Sequence, residues 1–320
     1  MRVLLIGATG LLGRNVLNVL VRRGFDVVCL LRNPERLHNE DVTAIGGDIL
    51  SLSDLEHAAT GCDAVINCAG TTDMSLRHLD DYLPVNKTLC HNIVTVADRL
   101  RISSVVHVST ANTVGNGTAQ LAGNESMPPS EPFASSLYTR SKLAGERIIT
   151  DYALSHPESH VVVLNPGFLV GPFDSKPSSG KLLMAAYRRP IMPVPSGGKS
   201  FAHVVDVASA VVNALSMGRN GERYLLTGNN LRISDFYAVQ ASVCGYRQTR
   251  FIVPRFLLSV VGFVGDFLRF CGLRTQVSSS NIRQLQTVEY YSYEKAAREL
   301  DYQVSPVQSA IKDFFLWRQK

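Results

Sequence analysis

Gly7-Ala8-Thr9-Gly10-Leu11-Leu12-Gly13 stands directly after the apolar run Val3-Leu4-Leu5-Ile6 and directly before Val16, Leu17, Leu20 and Val21, which recur at helical spacing. Strand, glycine turn and helix in that order make the first corner of a dinucleotide-binding unit. Gly7 permits a tight turn, Gly10 lets the backbone approach a pyrophosphate, and Gly13 lets helix and strand pack closely. Thr9, Leu11 and Leu12 complete the corner at the helix N-terminus, where free N–H groups and the helix dipole favour phosphate.

Outward from this corner the chain keeps a strand–helix alternation. Gly24 ends the first helix, and Val27-Val28-Cys29-Leu30-Leu31 reads as a second buried parallel strand. At its end, where an NAD enzyme usually carries a carboxylate for the ribose hydroxyls, the sequence runs Leu31-Arg32-Asn33-Pro34, with Arg36 one helical turn on. Arg32 is suited to clamp a 2′-phosphate, which favours NADP while leaving NAD open; the plain alternative is a surface arginine after a strand. Ala44 to Ile49 forms a short third strand ending in Asp48, Ser53-Asp54-Leu55-Glu56 has capping-box spacing, and Ala64-Val65-Ile66-Asn67 is a fourth strand closing on Cys68-Ala69-Gly70. A fifth strand, Val105 to Val108, carries Ser109-Thr110 at its carboxyl end, where an open α/β sheet binds ligands; a sixth, Val161 to Leu164, ends in Asn165-Pro166-Gly167-Phe168.

Tyr138-Thr139-Arg140-Ser141-Lys142 opens a helical pattern continued by Leu143, Ala144, Ile148 and Ile149. A spacing of four places Tyr138 and Lys142 on one helix face. A free phenol titrates near pH 10, and a neighbouring ammonium is expected to lower that value and make Tyr138 a workable acid and base.

Taken together, the G-x-x-G-x-x-G corner, the strand-end Ser-Thr and the Tyr-x-x-x-Lys pair resemble the extended short-chain dehydrogenase/reductases of the NAD-dependent epimerase/dehydratase family, most closely their dihydroflavonol-reductase and 3β-hydroxysteroid-dehydrogenase-like branch. The resemblance spans most of the chain and weakens after about Asn230. It implies a doubly wound parallel sheet (Rossmann fold) at 1–170, completed by about 201–228, with a small discontinuous substrate-binding region at 171–200 and 229–320. It implies that Asp48 bonds the adenine edge and Ile49 covers its face, although Asp48 also suits a turn cap. It implies that Cys68, Ala69 and Gly70 line the ribose, that Asn86 fixes the central helices, and that Pro166-Gly167-Phe168 lies along the nicotinamide. Thr110 then bonds the reacting carbonyl, with Ser109 as the competing hydroxyl, Tyr138 exchanges the proton, and Lys142 holds the ribose and tunes Tyr138. Asn165, where many sugar-nucleotide members carry Arg, looks more like the reductase branch. The expected reaction is hydride transfer between NADPH and the carbonyl of a small, bulky or hydrophobic molecule; the rivals are a nucleotide-sugar epimerase with retained NAD, a less fitting sugar dehydratase, and a non-catalytic NADP-binding sensor.

Composition sets the remaining bounds. The 320 residues are 45% hydrophobic, and 32 Lys and Arg against 27 Asp and Glu leave a net +5 with no dense basic block, so no nucleic-acid partner is expected. Cys29, Cys62, Cys68, Cys90, Cys244 and Cys271 stand far apart with no C-x-x-C pair, which fits reduced cytoplasmic thiols and no metal site. With the first strand starting at the second or third residue no cleavable leader is expected, and no apolar run reaches the ~20 residues a bilayer span needs, so no integral membrane segment is expected. Gly115 to Leu137 is a polar loop read as a cleft wall or lid; Pro177-Ser178-Ser179-Gly180 and Pro193 to Gly198 mark loops around a short helix, Lys181 to Arg188. Asp206 is expected to cap a helix from Val207 to Met217, with His203 a scaffold histidine, and Ser305-Pro306-Val307-Gln308 to cap the last helix with Pro at its first position. Ile252 to Leu273 carries Phe256, Val260, Phe263, Phe267 and Phe270 near helical spacing; internal packing is expected, with a cover over a hydrophobic substrate, a homodimer contact or a membrane surface as alternatives.

Overall fold

The computed structural model describes residues 1–37, 41–175 and 179–319. From β1 (Arg2–Ile6) the chain turns through Gly7 into α1 (Leu11–Arg22), then runs through β2 (Asp26–Leu31), β3 (Val42–Gly46), α2 (Leu52–Ala59) and β4 (Ala64–Asn67). A one-turn π-helix, Pro84–Thr88, enters α3 (Leu89–Leu100); β5 (Ser104–Val108), α4 (Leu137–Ser155) and β6 (His160–Pro166) follow. Then come β7 (Phe168–Val170), α5 (Gly180–Ala186), β8 (Ile191–Val194), β9 (Gly198–His203), α6 (Val204–Asn213) and β10 (Arg223–Leu226). The chain closes with β11 (Asn229–Arg232), α7 (Ile233–Val243), β12 (Thr249–Ile252), α8 (Arg255–Phe270), α9 (Ser279–Gln286), β13 (Val288–Glu289), α10 (Glu294–Leu300) and α11 (Val307–Arg318).

Seven parallel strands pair in the order β10-β6-β5-β4-β1-β2-β3. Both faces are covered at the centre of the sheet, so residues 3–6, 27–31, 64–66 and 161–164 are runs of buried apolar residues rather than alternating. Val3 and Leu5 enter the core under α1 and α6, while Leu4 and Ile6 enter the core under α2, α3 and α4, the two-residue period of a strand read out on two cores. Strand order reverses between β1 and β4, and that switch point is where an open α/β sheet leaves a crevice beyond its carboxyl ends.

A second, smaller sheet joins β11, β9 and β13, with β7 also on β9, while β8 pairs with β12. Its core holds Phe201 stacked on Phe236 with centroids 4.0 Å apart, beside Ile311 and Phe314 of α11. The 115–137 loop is pinned as a wall: Asn116 donates to Val288 O (2.8 Å), and the Glu125 carboxylate accepts from the Leu225 N–H (2.9 Å), covering the edge of β10.

Several local expectations need correction. α2 is capped by Ser51, whose Oγ accepts from Asp54 N at 3.3 Å, and not from Ser53. α6 begins at Val204 after His203, so Asp206 lies inside the first turn; its carboxylate instead accepts from Ser305 N (2.7 Å) and Oγ (3.0 Å), anchoring the approach to α11. That use of Ser305 leaves Pro306 as the flanking residue of α11 rather than its first helical one, with no side-chain cap. Residues 177 and 178 lie outside the described residues.

The largest correction concerns α8. Phe256, Phe263, Phe267 and Phe270 are 67%, 72%, 60% and 84% exposed, so internal packing does not hold for them. The inward positions are Gly262 and Gly265: a Cβ at Gly265 would lie 2.5 Å from Val277 O, and one at Gly262 2.9 Å from Ser279 Cα. Close backbone approach to α9 fixes which side of α8 turns in, and its bulk is left outside.

Candidate active site

Gly7 adopts φ +87°, open to glycine but strained for other residues, and a Cβ there would lie 2.7 Å from Ala69 N. A Cβ on Gly13 would meet Gly7 O at 2.0 Å, so α1 and the turn touch backbone to backbone. Gly10 differs: it is exposed, its Cβ position meets Gly7 O alone, at 3.4 Å, and it flanks α1 with no side-chain cap and no acidic residue in the first turn. Unspent N–H groups at an uncapped helix N-terminus, reached past a residue without a side chain, form a cradle that fits a pyrophosphate. Leu12 is buried, so only its backbone faces the cradle, while Thr9 and Leu11 are half-buried.

The corner continues into the neighbouring strand ends. Cys68 N donates to Ile6 O (2.9 Å) and Ala69 N to Asn67 Oδ1 (3.0 Å). A Cβ on Gly70 would lie 3.5 Å from Asn86 Oδ1 and 3.8 Å from Lys142 Nζ, so Gly70 looks onto the lysine. Asn86 Oδ1 accepts from Thr71 N (2.8 Å) and its amide donates to Ser141 Oγ (2.9 Å), tying this loop to α4. A Cβ at Gly145 would lie 1.9 Å from Asn86 O, so a glycine one turn beyond Ser141 allows the approach.

Lys142 is 2% exposed and donates to Val108 O at 2.8 Å, which seats the ammonium at the carboxyl end of β5. Burial pulls its pKa below the ordinary lysine value, and the nearby Cys90, Glu146 and Cys68 oppose that shift. Beneath it His107 is fully buried, 3.1 Å from Asn67 Nδ2; burial first, and then the Lys142 charge, hold it well below the usual histidine range, so it is neutral. Thr110, two residues beyond Val108, accepts from Asn112 N at its Oγ1 (3.4 Å) and stands beside the Tyr138 phenol, and the Tyr82 ring stands 6.5 Å from that of Tyr138. Burial pushes the phenol above its ordinary pKa, while the Thr110 hydroxyl draws it back. The lowering expected from Lys142 is therefore not what the free protein shows; the ammonium is engaged with Val108 O instead.

The outer residues fall on the same rim. Arg32 follows β2 and is exposed; Asp48 is exposed beyond β3, where its Oδ1 accepts from Leu50 N (3.0 Å), so it does serve as a turn cap, and Ile49 is half-buried beside it. Arg36 ends a short 3-10 turn, Pro34–Arg36, and its side chain is outside the described ones. Pro166 ends β6; a Cβ on Gly167 would meet Ser200 O at 2.7 Å; the Phe168 ring packs edge-on to Phe201. Ser109 Oγ is buried without a hydrogen-bond partner among the described residues. His203 is buried between Asp206 and Asp313, at 3.7 Å and 3.3 Å.

One buried network escaped the sequence reading. Glu146 is 2% exposed; its Oε2 accepts from Thr113 Oγ1 (2.9 Å) and Asn165 Nδ2 (3.1 Å), and its Oε1 from Arg223 Nη1 (3.2 Å). Asn165 Nδ2 also reaches Thr110 O at 3.1 Å. Arg223, Glu146 and Asn165 thus hold the backbone under Thr110, and Asn165 belongs to this framework. The available signal was Glu146 four residues after Lys142, on the same helix face.

The profile of the NAD dependent epimerase/dehydratase family matches residues 3–227, from β1 through the end of β10. The chain belongs to this family. Among family relatives, a Synechocystis sp. protein provisionally named dihydroflavonol 4-reductase is 25% identical over 98% of this chain and 93% of its own length. A Stigmatella aurantiaca protein, 4-hydroxy-2-methyl-3-oxo-4-farnesyl-3,4-dihydroquinoline-1-oxide ketoreductase, is 29% identical over 94% of this chain and 92% of its own. The structure of MoeE5 in complex with UDP-glucuronic acid and NAD matches with a TM-score of 0.78 at 19% identity, covering 100% of this chain and 99% of that one, a likeness of fold. The chain is thus an extended short-chain dehydrogenase/reductase of the NAD(P)-dependent oxidoreductase and epimerase type. Among the described residues no helix is long and apolar enough to cross a membrane, and no group of three His, Cys, Asp or Glu is placed to hold a metal.

Proposed function

We propose that this protein is an NADP-dependent reductase of bulky, hydrophobic ketones, acting reversibly on the corresponding secondary alcohols. The observation that carries the reading is the meeting of the Thr110 hydroxyl with the Tyr138 phenol beside a buried Lys142, at the carboxyl end of β5. Bound NADPH supplies the hydride. Thr110 orients the carbonyl oxygen, Tyr138 gives that oxygen its proton, and the phenolate is reprotonated from solvent. Lys142 spends one of its three N–H donors on Val108 O and keeps the others for the cofactor ribose and the Tyr138 side.

Residues 1–170 with about 201–228 are assigned to the cofactor, 171–200 with 229–320 to the substrate. Gly7, Thr9, Gly10, Leu11, Leu12 and Gly13 cradle the pyrophosphate, Cys68, Ala69 and Gly70 the ribose, Asp48 and Ile49 the adenine, and Pro166, Gly167 and Phe168 the nicotinamide. Arg32, with Arg36, selects NADP, since the residue directly after β2 is Arg32 and not an acid that would repel the 2′-phosphate. The substrate class follows the names of relatives: a dihydroflavonol and a farnesylated dihydroquinoline oxide are both large and apolar. Six free thiols suit a reducing, cytoplasmic setting.

The test is a fluorescence titration with NADPH and NADH, followed by a ketone panel assayed with wild type, Tyr138→Phe and Arg32→Glu. Expected are preferential NADPH binding, lost in Arg32→Glu, and a fall in kcat of about 10²–10⁴-fold in Tyr138→Phe with cofactor affinity unchanged. Tightly copurifying NAD with sugar-nucleotide epimerisation would replace this reading with an epimerase. NADPH binding without turnover on any ketone would leave a sensor.

A further inference from the structure

We infer that α8 is a docking helix that lies in the surface of an anionic lipid bilayer. At about 100° per residue, Phe256, Leu257, Val260, Val261, Phe263, Val264, Phe267, Leu268 and Phe270 fall on an arc of about 180°, and every one of them is exposed. The opposite arc holds Gly262, Gly265, Asp266 and Arg269, turned toward α9 and the body of the protein. With ~200 Å² for a phenylalanine, the four phenylalanines alone expose on the order of 500 Å². That matches the largest apolar patch of an ordinary monomer before the aliphatic side chains are added.

Charge says what covers this face. Residues 247–283 carry Arg247, Arg250, Arg255, Arg269, Arg274 and Arg283 against the single acid Asp266, a net +5. This equals the net charge of the entire chain, so the remaining residues are neutral in sum; with Arg269 turned inward and Arg274 paired to Asp73, the basic flank is Arg247, Arg250, Arg255 and Arg283. A bulky apolar face flanked by arginine is the pattern of a helix seated at the headgroup–acyl boundary, where anionic lipid answers the basic flank. Pairing through a two-fold axis would instead set two such basic flanks against each other. The 16 residues of α8 reach about 24 Å, short of the ~30 Å hydrocarbon core, so the helix lies along the surface.

The anchorage is rigid and close to the proposed site. Arg269 donates to Leu76 O (2.8 Å), Arg274 to Asp73 Oδ2 (2.8 Å), and Asn281 to Met74 O (3.3 Å). Hydrogen bonds from Ser75, and then Arg274, hold the Asp73 carboxyl down at about 2, so this clamp stays ionised at neutral pH. The same segment meets Tyr82, whose OH donates to Asp73 O at 2.7 Å and whose ring stands beside Tyr138. A docked α8 therefore brings the Tyr138 side of the crevice to the bilayer, where a lipid-dissolved ketone resides; this last consequence rests on the proposed activity, and the docking does not.

The full chain is floated with vesicles of phosphatidylcholine, with and without about 30 mol% phosphatidylserine, at low and high salt. Wild type is expected to float with the anionic vesicles and to be released by salt. Phe263→Glu/Phe267→Glu should remain at the bottom with its melting temperature and NADPH titration unchanged. Arg247→Gln/Arg255→Gln should bind anionic vesicles about 25-fold more weakly, five-fold per arginine, and phosphatidylcholine as wild type does. Failure of wild type to float overturns the inference, as does flotation retained by the double-glutamate variant. A lipid-free dimer dispersed by that variant, in a protein that ignores vesicles, gives the face to a second copy and overturns it too. NADPH binding and ketone turnover are read separately, so an inactive protein that floats removes the proposed function and leaves the docking.

Discussion

Along the first half of α4 the inward positions include the polar Ser141, Lys142 and Glu146, all buried, whereas along α8 they are glycines and the large apolar side chains point out. Both helices use glycine for close approach: Gly145 brings α4 against Asn86, and Gly265 brings α8 against Val277. They differ in what fills the rest of the contact. α4 satisfies its buried charges, Lys142 and Glu146, through Val108 O, Thr113, Asn165 and Arg223, so burial of charge is offset by hydrogen bonds. α8 has no such partners on its broad face and leaves that face to something outside the chain. A hydrophobicity pattern therefore gives the shape of a helix surface, while neighbours decide which side is the inside.

Breaking the α4 framework should have a large effect. Glu146→Ala strands the half-buried Arg223 and frees Asn165 and Thr113, and should cost about 3 kcal/mol of unfolding free energy by urea titration. Glu146→Gln keeps the acceptor and loses the charge, so its cost should fall between wild type and Ala. Equal stability of all three would mean that the network is incidental to the fold.

A smaller effect is expected at the hydroxyl. Thr110→Val removes the hydroxyl that draws the Tyr138 phenol down, so its pKa should move further up from an already raised position. Under the proposed reaction, ketone reduction needs the protonated phenol, and its alkaline limb should shift to higher pH. Alcohol oxidation needs the phenolate, so its rising limb should shift the same way and the rate at neutral pH should fall, by about 3–10-fold if one ordinary hydrogen bond is lost. Profiles of kcat/KM against pH in both directions check the sign; a shift to lower pH would remove Thr110 as the partner of the phenol.

The sequence made legible those features whose chemistry is local. The glycine corner needs only Gly7, Gly10 and Gly13 in order, and Tyr138 and Lys142 share a helix face by spacing alone. Six of the seven strands of the sheet follow from apolar runs alternating with helical periods. What was hidden depends on distant partners: Glu146, Asn165 and Arg223 meet from α4, β6 and the far edge strand β10. Caps were misread for a related reason, since Ser51 and Ser53 are equivalent candidates until the strand-to-helix turn is built, and Asp206 was claimed by Ser305 from 99 positions away. On α8 the inward side is marked by Gly262 and Gly265, not by the periodicity of the phenylalanines.

The smallest expected effect is also the sharpest test of the contrast between the helices. Phe263→Glu replaces a large apolar residue by a charge in the middle of a helix, a change that costs several kcal/mol where such a side chain is buried. Here the ring is 72% exposed, so the unfolding free energy should move by no more than about 0.5 kcal/mol. The neighbouring Gly262→Leu supplies the opposite control on the same helix: its Cβ would already sit 2.9 Å from Ser279 Cα, so the added side chain must push α8 off α9. A stable glutamate variant beside a damaged leucine variant means that α8 is held by its small residues and offers its large ones outward. The reverse outcome would place the phenylalanines in a core, and α8 would then obey the same inside-out rule as any ordinary amphipathic helix.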